Sequence, residues 1–202
     1  MTCRLALLAS LWLLAMPAFG QVAPPATPVP PPADVQAPPA APRPATVKVG
    51  LQTSEGTIVI ELEKERAPIT TANFLRYVDQ KRFDGISFYR AVKLVADPPL
   101  GLIQGGVRND PKRVLPKIAH EPTSRTGLSH ADGTVSMAGL APGTASGDFF
   151  ITIGALTSFD ANPAQPGDNL GFAAFGHVVE GMDVVRRILV APTSPALGEG
   201  VM

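Results

Sequence analysis

Cysteine, aromatic residues and net charge are all scarce in this chain. Its 202 residues hold one cysteine, Cys3, and one tryptophan, Trp12. A single cysteine leaves no disulfide framework, so the fold has to be held by its core. The 17 basic and 17 acidic residues cancel and form no block of either sign, which argues against a nucleic-acid surface or a polybasic membrane patch. His120, His130 and His177 are scattered, with no His-x-x-x-His or cysteine pair, so no zinc site is expected. Ser136 and Asp148 flank a hydrophobic segment, but no Gly-x-Ser-x-Gly elbow is present, and building a Ser-His-Asp triad from these residues is arbitrary. Asp160, Asn162 and Asp168 share a Pro/Gly-rich loop without the glycine and terminal glutamate of an EF-hand; a solvated loop is expected there. No internal repeat is visible, and no cofactor is expected.

The chain also lacks an uninterrupted apolar run of the ~20 residues that a membrane span needs. The first twenty residues read instead as a secretory signal. Arg4 supplies the positive start, residues 5–19 an apolar run broken by Ser10 and Pro17, and Ala18-Phe19-Gly20 a small-x-small site before Gln21. A signal retained as an anchor is the other reading. Cys3 precedes the apolar run, so no lipid-attachment signal is read. The expectation is an exported, periplasmic protein with no stable membrane insertion after processing.

Residues 21–46 are nearly all Pro, Ala, Val and Thr. Such a segment forms neither helix nor sheet ladder and favours extended polyproline II, so it is read as a spacer. It is alternatively a ligand for a proline-recognising partner, or a substrate-like sequence.

The folded domain is expected at 47–202. Val47, Val49, Leu51 and Thr53 alternate with Lys48, Gly50 and Gln52; after Ser54-Glu55-Gly56, Ile58, Ile60 and Leu62 alternate likewise. Two period-2 runs joined by a glycine-containing turn predict a β-hairpin. Pro68 suits a first helical position, and Ile69, Ala72, Leu75 and Val78 predict a helix to about Asp79 with that stripe on the sheet. Further strands are predicted at 86–94, 133–138, 149–153 and 172–179. A second helix is predicted from about Gly181, with Met182, Val185, Ile188 and Leu189 on one face. Many short strands with two separated helices argue for a β-barrel or sandwich capped by helices.

Two segments carry an unusual mix. Phe88-Tyr89-Arg90 sets a guanidinium beside two rings, and Ile103-Gln104-Gly105-Gly106 sets an amide before two glycines. Strand alternation places Phe88 and Arg90 on one face, either as a surface pair or as a cation in an apolar groove.

From Val47 to about Leu189 the chain resembles bacterial cyclophilins. The resemblance rests on the order of Thr57-Ile58-Val59-Ile60-Glu61-Leu62, Ala67-Pro68, Thr71-Ala72-Asn73-Phe74 and Phe83-Asp84-Gly85, then Phe88-Tyr89-Arg90 and Ile103-Gln104-Gly105-Gly106. It continues through Gly133-Thr134-Val135-Ser136-Met137-Ala138, Phe149-Phe150-Ile151-Thr152 and Phe175-Gly176-His177-Val178-Val179-Glu180-Gly181-Met182. It implies a mainly β fold, a closed eight-stranded antiparallel barrel capped by two α-helices, active as a peptidyl-prolyl cis/trans isomerase. It implies Arg90 and Gln104 as catalytic residues, Gln104 orienting the substrate backbone. Phe88, Leu102, Met137, Ala138 and Phe150 are implied to form or border the proline pocket; core packing is the other reading for Phe88, Leu102 and Met137. Proline-containing unfolded polypeptides are the expected partners of a monomer.

The match is uneven. Relatives usually carry His at Tyr89 and Gln at Asp148, and the segment 97–101 is longer than usual. A final strand is expected beside the start of the barrel, yet residues 191–202 are rich in Pro and Gly and make a poor strand, so a barrel without its last strand is the alternative. Isomerisation during folding of exported proteins is the leading functional reading. The others are a non-catalytic proline-peptide-binding module or chaperone, and a structural envelope protein working through its Pro-rich segment.

Overall fold

A computed structural model describes residues 45–202 except Asp168, Pro195 and residues 197–199. The expected signal at 1–20 and almost all of the expected spacer at 21–46 lie outside the described residues.

The first hairpin forms as its alternation requires. β1 (Val47–Thr53) and β2 (Gly56–Leu62) pair in register from Val47 opposite Leu62 to Thr53 opposite Gly56. Ile58, Ile60 and Leu62 face inward and are fully buried. The Thr53 hydroxyl donates to the Gly56 carbonyl at 2.7 Å and accepts from the Glu55 N–H, closing the turn.

Helix α1 (Pro68–Asp79) has Pro68 in its first turn, where a missing N–H costs nothing. Its buried face is Thr70, Thr71, Asn73, Phe74 and Tyr77, not the expected stripe. Ile69 is 37% exposed, Ala72 is exposed, and Leu75 and Val78 sit at the margin. Ring area decides this. Phe74 packs on Phe83, Phe149 and Phe175 at 4.9 to 5.3 Å between centroids, and Tyr77 stacks on Phe83 at 4.9 Å. The polar residues beside them are partly satisfied from afar, while Thr71 Oγ1 and Asn73 Oδ1 are buried without a hydrogen-bond partner among the described residues. Asn73 donates to the Ser146 carbonyl at 2.6 Å. The buried Glu121 carboxylate accepts from the N–H groups of Ile69 and Thr70 and from the Thr70 hydroxyl. That carboxylate caps the positive end of a helix that has no side-chain cap of its own.

β3 (Ser87–Val95) and β4 (Leu100–Gly106) form a long hairpin. β4 was not expected, because its glycines and the preceding Pro98-Pro99 hide the strand pattern. Those glycines answer to close approach: a Cβ at Gly105 would meet the Phe88 ring at 3.0 Å, and one at Gly101 the Val92 carbonyl at 2.1 Å. A short helix α2 (Thr123–Thr126) follows, then β5 (Thr134–Met137), β6 (Asp148–Ile153), a 3₁₀ turn (Thr157–Phe159), β7 (Ala174–Glu180) and α3 (Met182–Leu189). In α3, Val184, Val185, Ile188 and Leu189 are buried against β2, β3, β4 and β6.

The strands form one curled antiparallel sheet in the order β1-β2-β7-β5-β6-β4-β3. Among the described residues the sheet has seven strands, where the resemblance implies eight. Among the described residues β1 pairs with β2 alone, and no strand closes the curl beside it. The chain end instead meets the other edge. Val201 bridges Arg90, the Ala91 N–H donates to the Gly200 carbonyl at 2.7 Å, and the Met202 N–H donates to the Tyr89 carbonyl at 3.0 Å. Proline removes a ladder donor and glycine weakens a strand, which limits this tail to a bridge.

Candidate functional site

The site grows from one irregularity in β3. Phe88 lies opposite Gly105 and Arg90 opposite Gln104, so Tyr89 is an extra residue in the ladder, a β-bulge. Gly105 and Gln104 are successive residues with opposite facing, and the bulge therefore puts Phe88 and Arg90 on opposite faces. The expectation that they share a face is overturned. Phe88 turns inward, edge-on to Phe149 at 6.0 Å, while Tyr89 and Arg90 both line an outer groove of about 860 Å³.

Register carries the row across the sheet. Arg90 is opposite Gln104, Gln104 opposite Phe150, and Phe150 opposite Ser136. Of the residues expected at the site, Arg90, Gln104, Leu102, Ala138 and Phe150 line this groove. Phe88 and Met137 do not. Met137 is opposite Phe149 in the next row and packs in the core, and Phe88 borders a separate cavity of about 730 Å³ that β1 also lines. Leu94 on the extended β3–β4 hairpin adds to the groove wall.

At one end of the groove Gln104 Nε2 donates to Tyr89 Oη at 2.8 Å. Asp148 stands beside them, and its Oδ1 accepts the Arg108 backbone N–H at 2.8 Å. The Arg108 guanidinium lies 4.7 Å from the centre of the Tyr89 ring, in cation–π range. Burial, followed by the negative charge of Asp148, pushes the Tyr89 phenol up to about 12, so it stays protonated at neutral pH.

At the other end Phe150, 3% exposed, forms an aromatic box with Phe159 at 5.8 Å and Phe172 at 5.3 Å, both edge-on. His130 stacks flat behind Phe150 at 6.0 Å. Its Nδ1 is 2.6 Å from Asp160 Oδ1 and its Nε2 is 3.0 Å from Ser136 Oγ. Asp160 also accepts from the Ser129 hydroxyl and the His130 N–H. These three residues have the connectivity of a hydrolytic triad, with Asp160 rather than Asp148 as the acid. Ser136 and His130 are both 0% exposed, behind Phe150, so the line serves as a brace and not as a nucleophile. Burial lowers the His130 pKa; at Asp160 burial pulls upward, but the hydrogen bonds from Ser129 and His130 together outweigh it and lower the pKa. Sequence spacing gave no sign of this brace, because Asp160 reaches it from a loop 30 residues away. Among the described residues no group of three His, Cys, Asp or Glu could hold a metal ion.

The chain that builds this groove is similar to known proteins. Residues 48–198 match the family model described as cyclophilin type peptidyl-prolyl cis-trans isomerase/CLD. The chain is 34% identical over 154 residues to a peptidyl-prolyl cis-trans isomerase of Acinetobacter baylyi, covering 74% of this chain and 76% of that one. It is 35% identical over 154 residues to peptidyl-prolyl cis-trans isomerase cyp18 of Streptomyces antibioticus, covering 74% and 87%. Among solved structures, a cyclophilin type isomerase of Cryptosporidium parvum shares the fold with a TM-score of 0.57 at 20% identity, covering 75% of this chain and 88% of that one. A second structure of that protein, obtained in the presence of the dipeptide Ala-Pro, has a TM-score of 0.56, with 21% identity and coverage of 74% and 89%. On the family match and these identities, the chain belongs to the cyclophilin-type peptidyl-prolyl cis-trans isomerase family.

Proposed function

We propose that this chain isomerises X–Pro peptide bonds in exported proteins, acting as a periplasmic monomer. The observation that carries the catalytic part is the row Arg90–Gln104–Phe150 across β3, β4 and β6. Adjacent strands are about 4.8 Å apart, so the ends of this row are separated by roughly 10 Å. That span suits a proline ring seated on Phe150 with its preceding amide toward Arg90.

Rotation about an X–Pro bond breaks amide resonance, over a barrier of roughly 20 kcal/mol. No bond is made or broken, so acceleration requires only tighter binding of the twisted amide than of either planar form. As the amide twists, the prolyl nitrogen becomes pyramidal and gains a lone pair. Arg90 offers permanently charged donors in a fixed fork to that nitrogen and to the neighbouring carbonyl. Gln104 holds the adjoining peptide group, and the Phe150 box keeps the ring still while the chain before it turns. The groove excludes water from one side, which strengthens these contacts. The leader-like pattern of residues 1–20 supports work on exported clients.

The test is isomerisation of a short X–Pro peptide by residues 45–202 within the full chain, with Arg90→Ala and Arg90→Lys. Activity should fall at least about tenfold in Arg90→Ala, equivalent to ~1.4 kcal/mol of transition-state binding. Lys, a point charge without the fork, should restore only part. A wild type that binds proline peptides without isomerising them would replace this reading with a non-catalytic binding module.

A further inference from the structure

We propose that Tyr89, anchored by Asp148, is a positioning residue that fixes which end of the Gln104 amide faces the substrate. This rests on the isomerase reading of the groove and adds a residue outside the row Arg90–Gln104–Phe150.

The argument is an ordering of donors. A primary amide has one end that donates and one that accepts, and it can be turned over with little change of shape. What decides between the two poses is the partner. A phenol carries one proton and can also accept. A carboxylate only accepts, and Asp148 stands beside the phenol in the same groove, so the Tyr89 hydroxyl directs its proton toward it. The phenol's lone pair is then left for a donor, and Gln104 Nε2 supplies it at 2.8 Å. In the reversed pose the Gln104 oxygen would confront a phenol oxygen whose proton is already committed. The pose is thus set, with Gln104 Oε1 as the acceptor remaining for a peptide N–H of the substrate.

The anchor is itself held. Asp148 Oδ1 accepts the Arg108 N–H at 2.8 Å, and Arg108 covers the Tyr89 ring. The backbone allows no slack at this point: a Cβ at Gly106, opposite Asp148, would lie 2.3 Å from Asp148 Oδ1. Tyr89 reaches the groove because the bulge turns it to the same side as Arg90. The residue that aims the amide and the residue that carries the charge therefore come from one backbone irregularity, and their spacing is fixed together.

A positioning role predicts coupling that a merely structural role does not. The experiment compares kcat/KM for an X–Pro peptide in the wild type, Tyr89→Phe, Gln104→Ala and the double variant. Phenylalanine keeps the ring under Arg108 and deletes only the hydroxyl. Tyr89→Phe should cost roughly fivefold in the wild-type background and less than about twofold when Gln104 is already Ala. Equal losses in both backgrounds, or no loss in either, overturn the proposal. A second readout is independent of turnover: the side-chain ¹⁵N–¹H₂ pair of Gln104, assigned by its disappearance in Gln104→Ala. Tyr89→Phe should shift that pair, and an unmoved pair overturns the proposal even in an inactive enzyme. Wild-type inactivity with a shifted pair would fault the isomerase reading alone. If Tyr89→Phe does not fold, Asp148→Ala reaches the same network from its other end and should give the same coupling and shift.

Discussion

The side-chain amide of Gln104 on β4 donates to the phenol of Tyr89 on β3 at 2.8 Å, across a ladder from which Tyr89 bulges. A regular strand would have alternated Phe88 and Tyr89 across its two faces and returned Arg90 to the side of Phe88. The bulge instead sends Tyr89 and Arg90 to the groove together and leaves Phe88 in the interior. The chemistry of the groove thus depends on one unpaired residue in a hairpin.

Phe150 and Arg90 should separate kinetically. In the proposed function, Phe150 would contact a proline ring in ground and transition states alike, whereas Arg90 would meet a lone pair that exists only in the twisted amide. Phe150→Leu is therefore expected to raise KM severalfold with a smaller change in kcat, and Arg90→Lys to lower kcat chiefly. Steady-state isomerisation over a range of peptide concentrations measures both. A kcat effect in both variants with no KM change would remove Phe150 from the binding wall.

Stability should fall on mild acidification. His130 is buried with its pKa lowered below the ordinary value of about 6.5. Between those two values the unfolded chain binds a proton that the folded chain excludes, so stability is complete above about pH 6.5 and declines below it. Asp160, also lowered, acts in the same direction further down, losing its contribution as pH falls through the carboxylate range. The melting temperature is expected to drop between about pH 7.5 and 5, and the slope to be shallower in His130→Gln. A wild-type melting temperature that is level across that interval would contradict the buried neutral brace.

Glu121 should matter to folding and not to turnover. Its carboxylate takes three hydrogen bonds at the start of α1, two of them at 2.7 Å. Glu121→Ala leaves the two Thr70 donors buried without a partner, at a cost of about 2 kcal/mol. Chemical denaturation should show that loss, while kcat/KM per folded molecule stays within about twofold. A neutral substitution would mean that water replaces the carboxylate at the helix end.

Much of the fold was legible because local pattern and tertiary environment agree. The period-2 runs of β1 and β2, the bounds of α1 with Pro68 in its first turn, and the apolar stripe of α3 all appear where alternation and spacing put them. Legibility failed where a long-range partner intervened. The buried face of α1 follows Phe74 and Tyr77 because Phe83, Phe149 and Phe175 receive the rings. β4 was missed because Gly101 and Gly105 make room for neighbouring atoms that sequence does not show.

For the site, the sequence by itself determined the residue types: a guanidinium and a tyrosine next to each other, an amide before two glycines, and a phenylalanine pair. These are fixed by position in the chain and need no fold to be read. Only the tertiary structure decided which of them meet. Strand register joined Arg90, Gln104 and Phe150, the bulge removed Phe88 and admitted Tyr89, and Met137 fell in the core row. A one-residue change of facing is invisible to composition and spacing, because it arises from an unpaired residue whose partner strand lies elsewhere in the sequence.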